Sequence, residues 1–305
     1  MATTGLYSPH VNHPEKRIAR NILLAVILIL FALLTLFPIF YMIMSSFGPA
    51  VATAGTSRSI FPRVWTLDSY KAFFSFSKYS VRWIVNSLIV ASATVPGNVI
   101  FASMAGYAFS KIRFKGRQWL FGLILVAMMI PYQVTQVPLY ILIANKLHMT
   151  NTYAAMILPG VVTSYNIFLA KQFFTSIPTP LIESAKLDGC SQLGIFMRII
   201  LPLSKATIAT IALFTAVGYW NDYFSTVLYI RSVDKWALQA VLRNMLTNTQ
   251  QAMQQAGVNV MAQTNTNAQT IKAGTIVIST VPILIVYPFV QKYFVKGVMI
   301  GGVKG

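Results

Sequence analysis

Six stretches of this chain, approximately residues 22–44, 83–109, 118–143, 149–170, 206–230 and 273–291, contain no lysine or arginine. Each is long enough to cross a hydrocarbon core of about 30 Å as a helix. All 24 Lys and Arg residues lie outside these runs, and of the six acidic residues only Asp222 falls inside one. A soluble protein has no reason to segregate its charges this way. The pattern restricts the chain to an all-α integral membrane protein with six transmembrane helices, whose backbone polar groups are satisfied within each span. Composition agrees, with 56% hydrophobic and 10% charged residues and a mean hydropathy of +0.63.

A net charge of +18 would fit nucleic acid, but its placement argues against that partner. An even number of spans puts both termini on one side. That side, formed by residues 1–21, 110–117, 171–205 and 292–305, carries fourteen of the basic residues, and the longer loops opposite carry ten. The positive-inside rule makes the richer side cytoplasmic. The densest cluster is Lys111-Ile112-Arg113-Phe114-Lys115-Gly116-Arg117, for which anionic lipid headgroups are the natural partner. Residues 1–21 read as a cytoplasmic tail. The run 22–44 lacks a small-residue cleavage signature and is too long for a signal peptide, so it is expected to remain as the first span.

The cytoplasmic segment 178–202 has its own pattern. Leu181, Ile182, Ala185 and Leu187 suit one short amphipathic helix, and Leu193, Phe196, Ile199 and Ile200 suit a second. Gly189 between them sits where a helix ends in a left-handed residue, and Pro202 is expected to stop the second helix. The expectation is a helix-turn-helix at the membrane face, shaped for a soluble partner.

Several spans carry breaks: Pro96-Gly97-Asn98 in the second, Pro131 and Pro138 in the third, Pro159-Gly160 in the fourth, Pro282 and Pro288 in the sixth. Polar residues stand beside some of them. Tyr132, Gln136 and Tyr140 recur at a spacing of four, with Gln133 adjacent, and the fifth span contains Trp220-Asn221-Asp222-Tyr223. Amides and a carboxylate beside aromatic rings suit the hydroxyls and flat C–H faces of a sugar. Phosphate or carboxylate cargo would instead call for arginines or helix N-termini. The stripe of the third span is equally an ordinary polar helix–helix interface. Asp222, costly at depth unless paired or wetted, serves either the pathway or the cap of a kink.

Glu183-Ser184-Ala185, Asp188-Gly189, Phe196 and Leu201-Pro202 together resemble the "EAA" loop of ATP-binding-cassette importer permeases, with Ser184 replacing the first alanine. Trp220-Asn221-Asp222-Tyr223 is similar to the Trp-Asn-Asp-aromatic segment of carbohydrate permeases, and Gly301-Gly302-Val303-Lys304-Gly305 to the tail of the maltose-permease-like small subunit. The resemblance implies a type I ABC importer (MetI-like) permease fold, with a transmembrane permease domain over 83–295 and a cytoplasmic tail at 296–305. It implies a second, related permease, two cytoplasmic ATPase subunits and an extracytoplasmic sugar-binding protein, and import of a carbohydrate, expected to be an oligosaccharide, across the cell membrane. On that reading Glu183, Ala185, Asp188, Gly189, Phe196 and Pro202 couple to the ATPase, which the tail residues Gly301, Gly302 and Lys304 also contact. Tyr132, Gln133, Gln136, Tyr140, Trp220, Asn221, Asp222 and Tyr223 are the candidate pathway residues.

The chain has no G-x-x-x-x-G-K-[ST] phosphate loop, so ATP and Mg²⁺ are expected on the partner ATPase and no catalytic residue here. His10, His13, His148 and the single Cys190 have no metal-ligand spacing, and no metal site is expected. A secondary transporter would need coupling-ion carboxylates in the membrane, for which only Asp222 is available. The last external loop, 231–272, contains an uncharged tract from Asn244 to Thr270 with 11 Asn or Gln in 27 residues. That tract fits either a segment that competes for a sugar's hydroxyls or a cover on the outer face.

Overall fold

The computed structural model describes residues 14–48, 60–62, 64–247 and 268–301. Among these the chain is helical, with no strand. Helix α1 (Pro14–Ser46) and helix α3 (Ser80–Lys111) are long and apolar, and an amphipathic α2 (Asp68–Phe76) lies between them. Then come α4 (Arg117–Met129), α5 (Tyr132–Tyr140, continuing as a π-helical segment Ile141–Lys146), α6 (Tyr153–Val161) and α7 (Ser164–Thr175). The short helices α8 (Thr179–Leu187), α9 (Gln192–Ile195) and α10 (Leu201–Leu203) precede α11 (Lys205–Trp220) and α12 (Phe224–Tyr229). Two more follow, α13 (Leu238–Thr247) and α14 (Ala268–Gly301).

Among the described residues, three helical stretches are long and apolar enough to cross a membrane by themselves: Arg20–Ser46, Ser80–Lys111 and Tyr153–Thr175. Two more candidates are bent pairs, α4 with α5 at 98° and Gln192–Leu203 with α11 at 81°. The chain is thus a multi-pass membrane protein.

Helix α3 is the hub, packing on α6, α7 and α11. Lipid tails offer helices no hydrophobic reason to associate, so contact depends on small residues and polar pairs. Gly106 supplies the first kind: a Cβ there would stand 2.5 Å from Ala170 Cβ and 2.9 Å from the Lys171 nitrogen of α7. Asn98 supplies the second. Its Nδ2 donates to the Gly160 carbonyl at 2.7 Å, and its Oδ1 accepts from Asn166 Nδ2 at 2.6 Å and from Thr215 Oγ1 at 3.3 Å. One buried amide therefore joins α3 to α6, α7 and α11.

That network bears on the expected break at Pro96-Gly97-Asn98, which is corrected: α3 runs unbroken from Ser80 to Lys111. Thr94 Oγ1 donates to the Val90 carbonyl at 2.7 Å on one side of the proline, and Asn98 is tied to three helices on the other. Pro138, Pro282 and Pro288 likewise lie inside helices rather than ending them. Pro131 does break its span. Ile130 before it is extended (φ −76°, ψ 121°), the conformation that a following proline favours, and α4 has no buried residue to hold it straight. In the fourth span the interruption falls at Val162-Thr163, just after Pro159-Gly160.

The segment after Arg231 is more ordered than an external loop need be. Trp83 Nε1 donates to the Val233 carbonyl (2.7 Å), Asn86 Nδ2 to the Asp234 and Trp236 carbonyls (2.9 and 2.8 Å), and Ser87 Oγ accepts from Leu238 N (2.9 Å). Leu238, Val241 and Met245 of α13 bury their side chains with Phe73 and Phe76 of α2, Trp83 and Trp220. The expected loop at 231–272 therefore begins as a folded cap, while residues 248–267 of its Asn/Gln tract lie outside the described residues.

Candidate functional site

The segment 178–202 forms the expected pair of short helices. Asp188 ends α8, Gly189 follows at φ +77°, Gly189 N–H donates to the Lys186 carbonyl (3.0 Å) and Cys190 N–H to the Ala185 carbonyl (2.9 Å). These two bonds are the pattern that closes a helix through a left-handed residue and satisfies its last carbonyls. Ser191 then caps α9, its Oγ accepting from Gly194 N–H at 3.1 Å. Beyond α9, Phe196–Ile200 widens into a π-helical turn and α10 carries Pro202 in its first turn. The stop falls at Ser204, two residues beyond the proline expected to impose it.

One face of this unit is buried against the bundle: Ile182, Ala185, Ile195, Phe196 and Ile200 join Tyr107 of α3 and Ile167, Phe174 and Ile177 from α7 and its C-terminal end. Phe196 lies against Tyr107 with ring centroids 5.4 Å apart, and Tyr107 Oη donates to Gln192 Oε1 at 2.8 Å. Tyr107 thus holds the second helix by ring and hydroxyl together. The sequence carries no local signal for it, since its partner lies 85 residues on.

The opposite face is open. Glu183 and Asp188 are exposed, as are Leu181, Leu187 (89%), Leu193 and Met197. Lys186 and Arg198 are exposed as well, and apolar side chains among charges of both signs on short amphipathic helices form a surface suited to a protein partner.

The candidate pathway residues divide into two groups. Those of the fifth span form a corner. Trp220 is buried and its Nε1 donates to the Ser279 carbonyl of α14 at 2.8 Å. Asp222 Oδ1 accepts from the N–H groups of Phe224 (2.9 Å) and Ser225 (3.1 Å), capping α12 where α11 ends. Asn221 Oδ1 accepts from Gln239 Nε2 at 3.2 Å, and the Arg243 guanidinium lies 4.1 Å from the Tyr223 ring centre. The polar groups of this motif are largely committed to joining α11, α12, α13 and α14. Of the two roles open to Asp222, the structure provides the cap.

In the third span Tyr132 and Gln133 are exposed just after the bend, while Gln136 is 7% exposed and neither its Oε1 nor its Nε2 meets a hydrogen-bond partner. Tyr140 stacks on Tyr229, with centroids 6.1 Å apart and planes at 15°, and the buried Tyr229 hydroxyl is also without a partner. Nearby, Tyr219 lies directly over Gly160, in space that any side chain there would fill. An amide and a phenol left unsatisfied are costly unless water or a bound polar molecule completes them. The repeat of four at Tyr132, Gln136 and Tyr140 identified the first part of this group. Nothing in the sequence pointed to Tyr229, whose proximity comes from folding. Gly301 ends the described part of α14, and Gly302 and Lys304 lie outside the described residues. Among the described residues no three His, Cys, Asp or Glu side chains form a metal-holding group.

A helical bundle with an exposed helix-turn-helix on one face and unsatisfied polar groups beside a broken span is the arrangement of a membrane transport subunit, and its similarity to known proteins agrees. The chain belongs to the binding-protein-dependent transport system inner membrane component family, which matches residues 97–300. It is 40% identical over 272 residues to Protein LplC of Bacillus subtilis, covering 89% of this chain and 90% of that one. It is 30% identical over 297 residues to the arabinooligosaccharides transport system permease protein AraQ of the same organism, covering 97% of this chain and 100% of the other. A chain from the crystal structure of a bacterial ABC transporter that imports the acidic polysaccharide alginate superposes with a TM-score of 0.79 at 28% identity, covering 95% of this chain and 100% of that one. The fold is therefore the MetI-like type I importer permease fold, and the chain is a permease subunit of an ABC importer rather than an enzyme.

Proposed function

We propose that this subunit imports an oligosaccharide, pairing with a second, related permease to form the pathway. In this reading it has six spans, counting α4–α5, α11–α12 and α14 with the three long helices, and both termini are cytoplasmic. An extracytoplasmic sugar-binding protein delivers cargo to the capped outer face. Two cytoplasmic ATPase subunits, which hold ATP and Mg²⁺, dock on α8 and α9, with Glu183 facing a basic residue of the ATPase and the tail residues Gly301, Gly302 and Lys304 touching it as well.

The observation that carries the coupling role is the two-faced helix-turn-helix. Its outer face offers Glu183, Leu187, Leu193 and Met197, and its inner face is bound to α3 through Phe196, Gln192 and Tyr107. A displacement of the docked ATPase moves α8 and α9 as a unit. Tyr107 passes that movement to α3, and α3 carries α6, α7 and α11 with it. Alternating access then follows as a rigid-body rocking of the bundle.

Gln136 and Tyr229 are the cargo-facing residues on this reading, with Tyr132 and Gln133 at the mouth of the bend and Tyr140 backing the Tyr229 ring. Gln136→Ala and Tyr229→Phe are expected to lower oligosaccharide uptake several-fold in proteoliposomes holding the assembled transporter. Complex yield and binding-protein-stimulated ATP hydrolysis should be retained. Loss of the assembled complex in both variants would instead make these residues helix–helix contacts. Asp222→Ala is expected to act differently, lowering yield through the α11–α12 corner.

A further inference from the structure

The loop from α3 to α4 folds around a cavity of about 570 Å³ lined by Arg113, Phe114, Gly116, Arg117, Gln118 and Trp119. Three features give it one chemical character. First, it is cationic and uncompensated. Among the described residues Arg113 has no hydrogen-bonding or ionic partner, Arg117 Nη1 donates only to the Ile112 carbonyl at 3.2 Å, and the one ion pair, Arg82–Asp234, is elsewhere. Second, Gly116 (φ +82°) starts α4 with no side chain capping its first turn. Arg117 N–H donates to the Phe114 carbonyl at 3.4 Å, and the helix presents the N–H groups of Gln118 and Trp119 and its positive dipole end to the same place. Third, the cavity opens beside an exposed apolar helix. Trp119 is 68% exposed, and α4 continues from it as an apolar helix with no buried residue, its Leu120, Leu123 and Val126 all exposed. An exposed tryptophan at the start of a lipid-facing helix marks headgroup depth.

The cavity shares its membrane face with the coupling helices. Lys111 Nζ, just before it, donates to the Thr175 and Ile177 carbonyls beside α8, at 3.3 and 2.5 Å. It differs from them in charge: the cavity is lined by two arginines and no acid, whereas Glu183 and Asp188 of the α8–α9 segment stand beside the exposed Lys186 and Arg198. The exposed Trp119 and the apolar run of α4 offer nothing to a soluble anion, and an ATPase subunit that meets the mixed-charge, apolar face of α8 and α9 would not find the same chemistry here.

We propose that this cavity binds the phosphodiester headgroup of an anionic glycerophospholipid, with Arg113 and Arg117 and the first-turn N–H groups of α4 on the phosphate and Trp119 against the glycerol and upper acyl region. The bound lipid tethers the α3–α4 corner next to the coupling helices, so that rocking of the bundle occurs against a fixed point in the leaflet.

The test is lipid retention by the assembled transporter. Complexes containing the full-length chain are purified in mild detergent, equilibrated with equal phosphatidylglycerol and phosphatidylcholine, and examined by native mass spectrometry. Wild type should retain phosphatidylglycerol in preference to phosphatidylcholine, and added glycerol phosphate or inorganic phosphate should not displace it. The R113A/R117A double variant should lower retention about thirtyfold, given about fivefold for each cation at a membrane surface. R113K/R117K, which keeps the charge and reports on folding, should retain most of it, as should K115A, whose side chain does not line the cavity. Equal phosphatidylglycerol retention by wild type and R113A/R117A overturns the proposal. So does displacement by free phosphate, which would make the ligand a soluble anion. Release of the ATPase subunits from R113A/R117A with lipid retention unchanged also overturns it, making the cavity a protein contact.

Discussion

At Gly160 and Gly106 the absence of a side chain decides which helices can touch. Tyr219 occupies the space above Gly160, and Ala170 with its backbone occupies that above Gly106. Gly160→Ala forces Tyr219 from its place between α6 and α11, and overpacking of this kind costs about 1–3 kcal/mol. Reduced thermal stability of the purified complex is the expected readout, and a Tyr219→Ala change should relieve part of it by restoring room. If Gly160→Ala were as stable as wild type, the close contact would have no energetic consequence. Gly189 differs, because a Cβ there meets nothing within 4 Å and only the backbone conformation selects glycine. That conformation was legible in the sequence, since a helix stop is a local signal. The contacts of Gly160 and Gly106 were not, since a glycine in a membrane helix looks the same whether it meets lipid, a tyrosine or another backbone.

Among the elements, α3 shows most directly how tertiary contacts override a local rule. Pro96 alone predicts a break, and the Asn98 network to α6, α7 and α11 keeps the helix whole. Asn98→Ala takes the donor from the Gly160 carbonyl and the acceptor shared by Asn166 Nδ2 and Thr215 Oγ1. These two keep only their bonds to Thr215 Oγ1 (3.1 Å) and the Ile211 carbonyl (2.9 Å), in a site where Asn166 Oδ1 already lacks a partner. Unsatisfied buried groups cost about 1–3 kcal/mol. The variant is expected to unfold at lower temperature in detergent, and Asn98→Asp, which keeps the acceptor oxygen, should differ from it. An Asn98→Ala complex with unchanged melting behaviour would show that α3 is held by its apolar contacts alone. The spans were legible as elements because their apolar runs are continuous. The order within 231–247 was not, because Trp83, Asn86 and Ser87 hold it from about 150 residues away. The role of Trp220-Asn221-Asp222-Tyr223 was hidden differently: its aromatic, amide and acid groups suit a cargo equally well, and only the fold shows them bonded to Ser279, Gln239 and the start of α12.

On the scale of the whole molecule, the proposed function requires a movement at α8 and α9 to become a movement of the helical bundle, through the contacts of Phe196 and Gln192 with Tyr107. The coupling segment was legible because its apolar spacing, its Gly189 turn and its position between spans are all local. The residue that joins it to the bundle, Tyr107, was found only in the folded structure. The measurement that bears most directly on this account compares ATP-driven uptake and substrate-stimulated ATP hydrolysis on one proteoliposome preparation, with binding protein present, for wild type and Gly189→Val. A β-branched residue at φ +77° costs roughly 1–2 kcal/mol through the backbone alone and displaces α9 in addition. Uptake and stimulated hydrolysis are expected to fall together while the subunits still co-purify in wild-type ratio. Normal uptake by a fully assembled Gly189→Val complex would contradict the coupling role of α8 and α9.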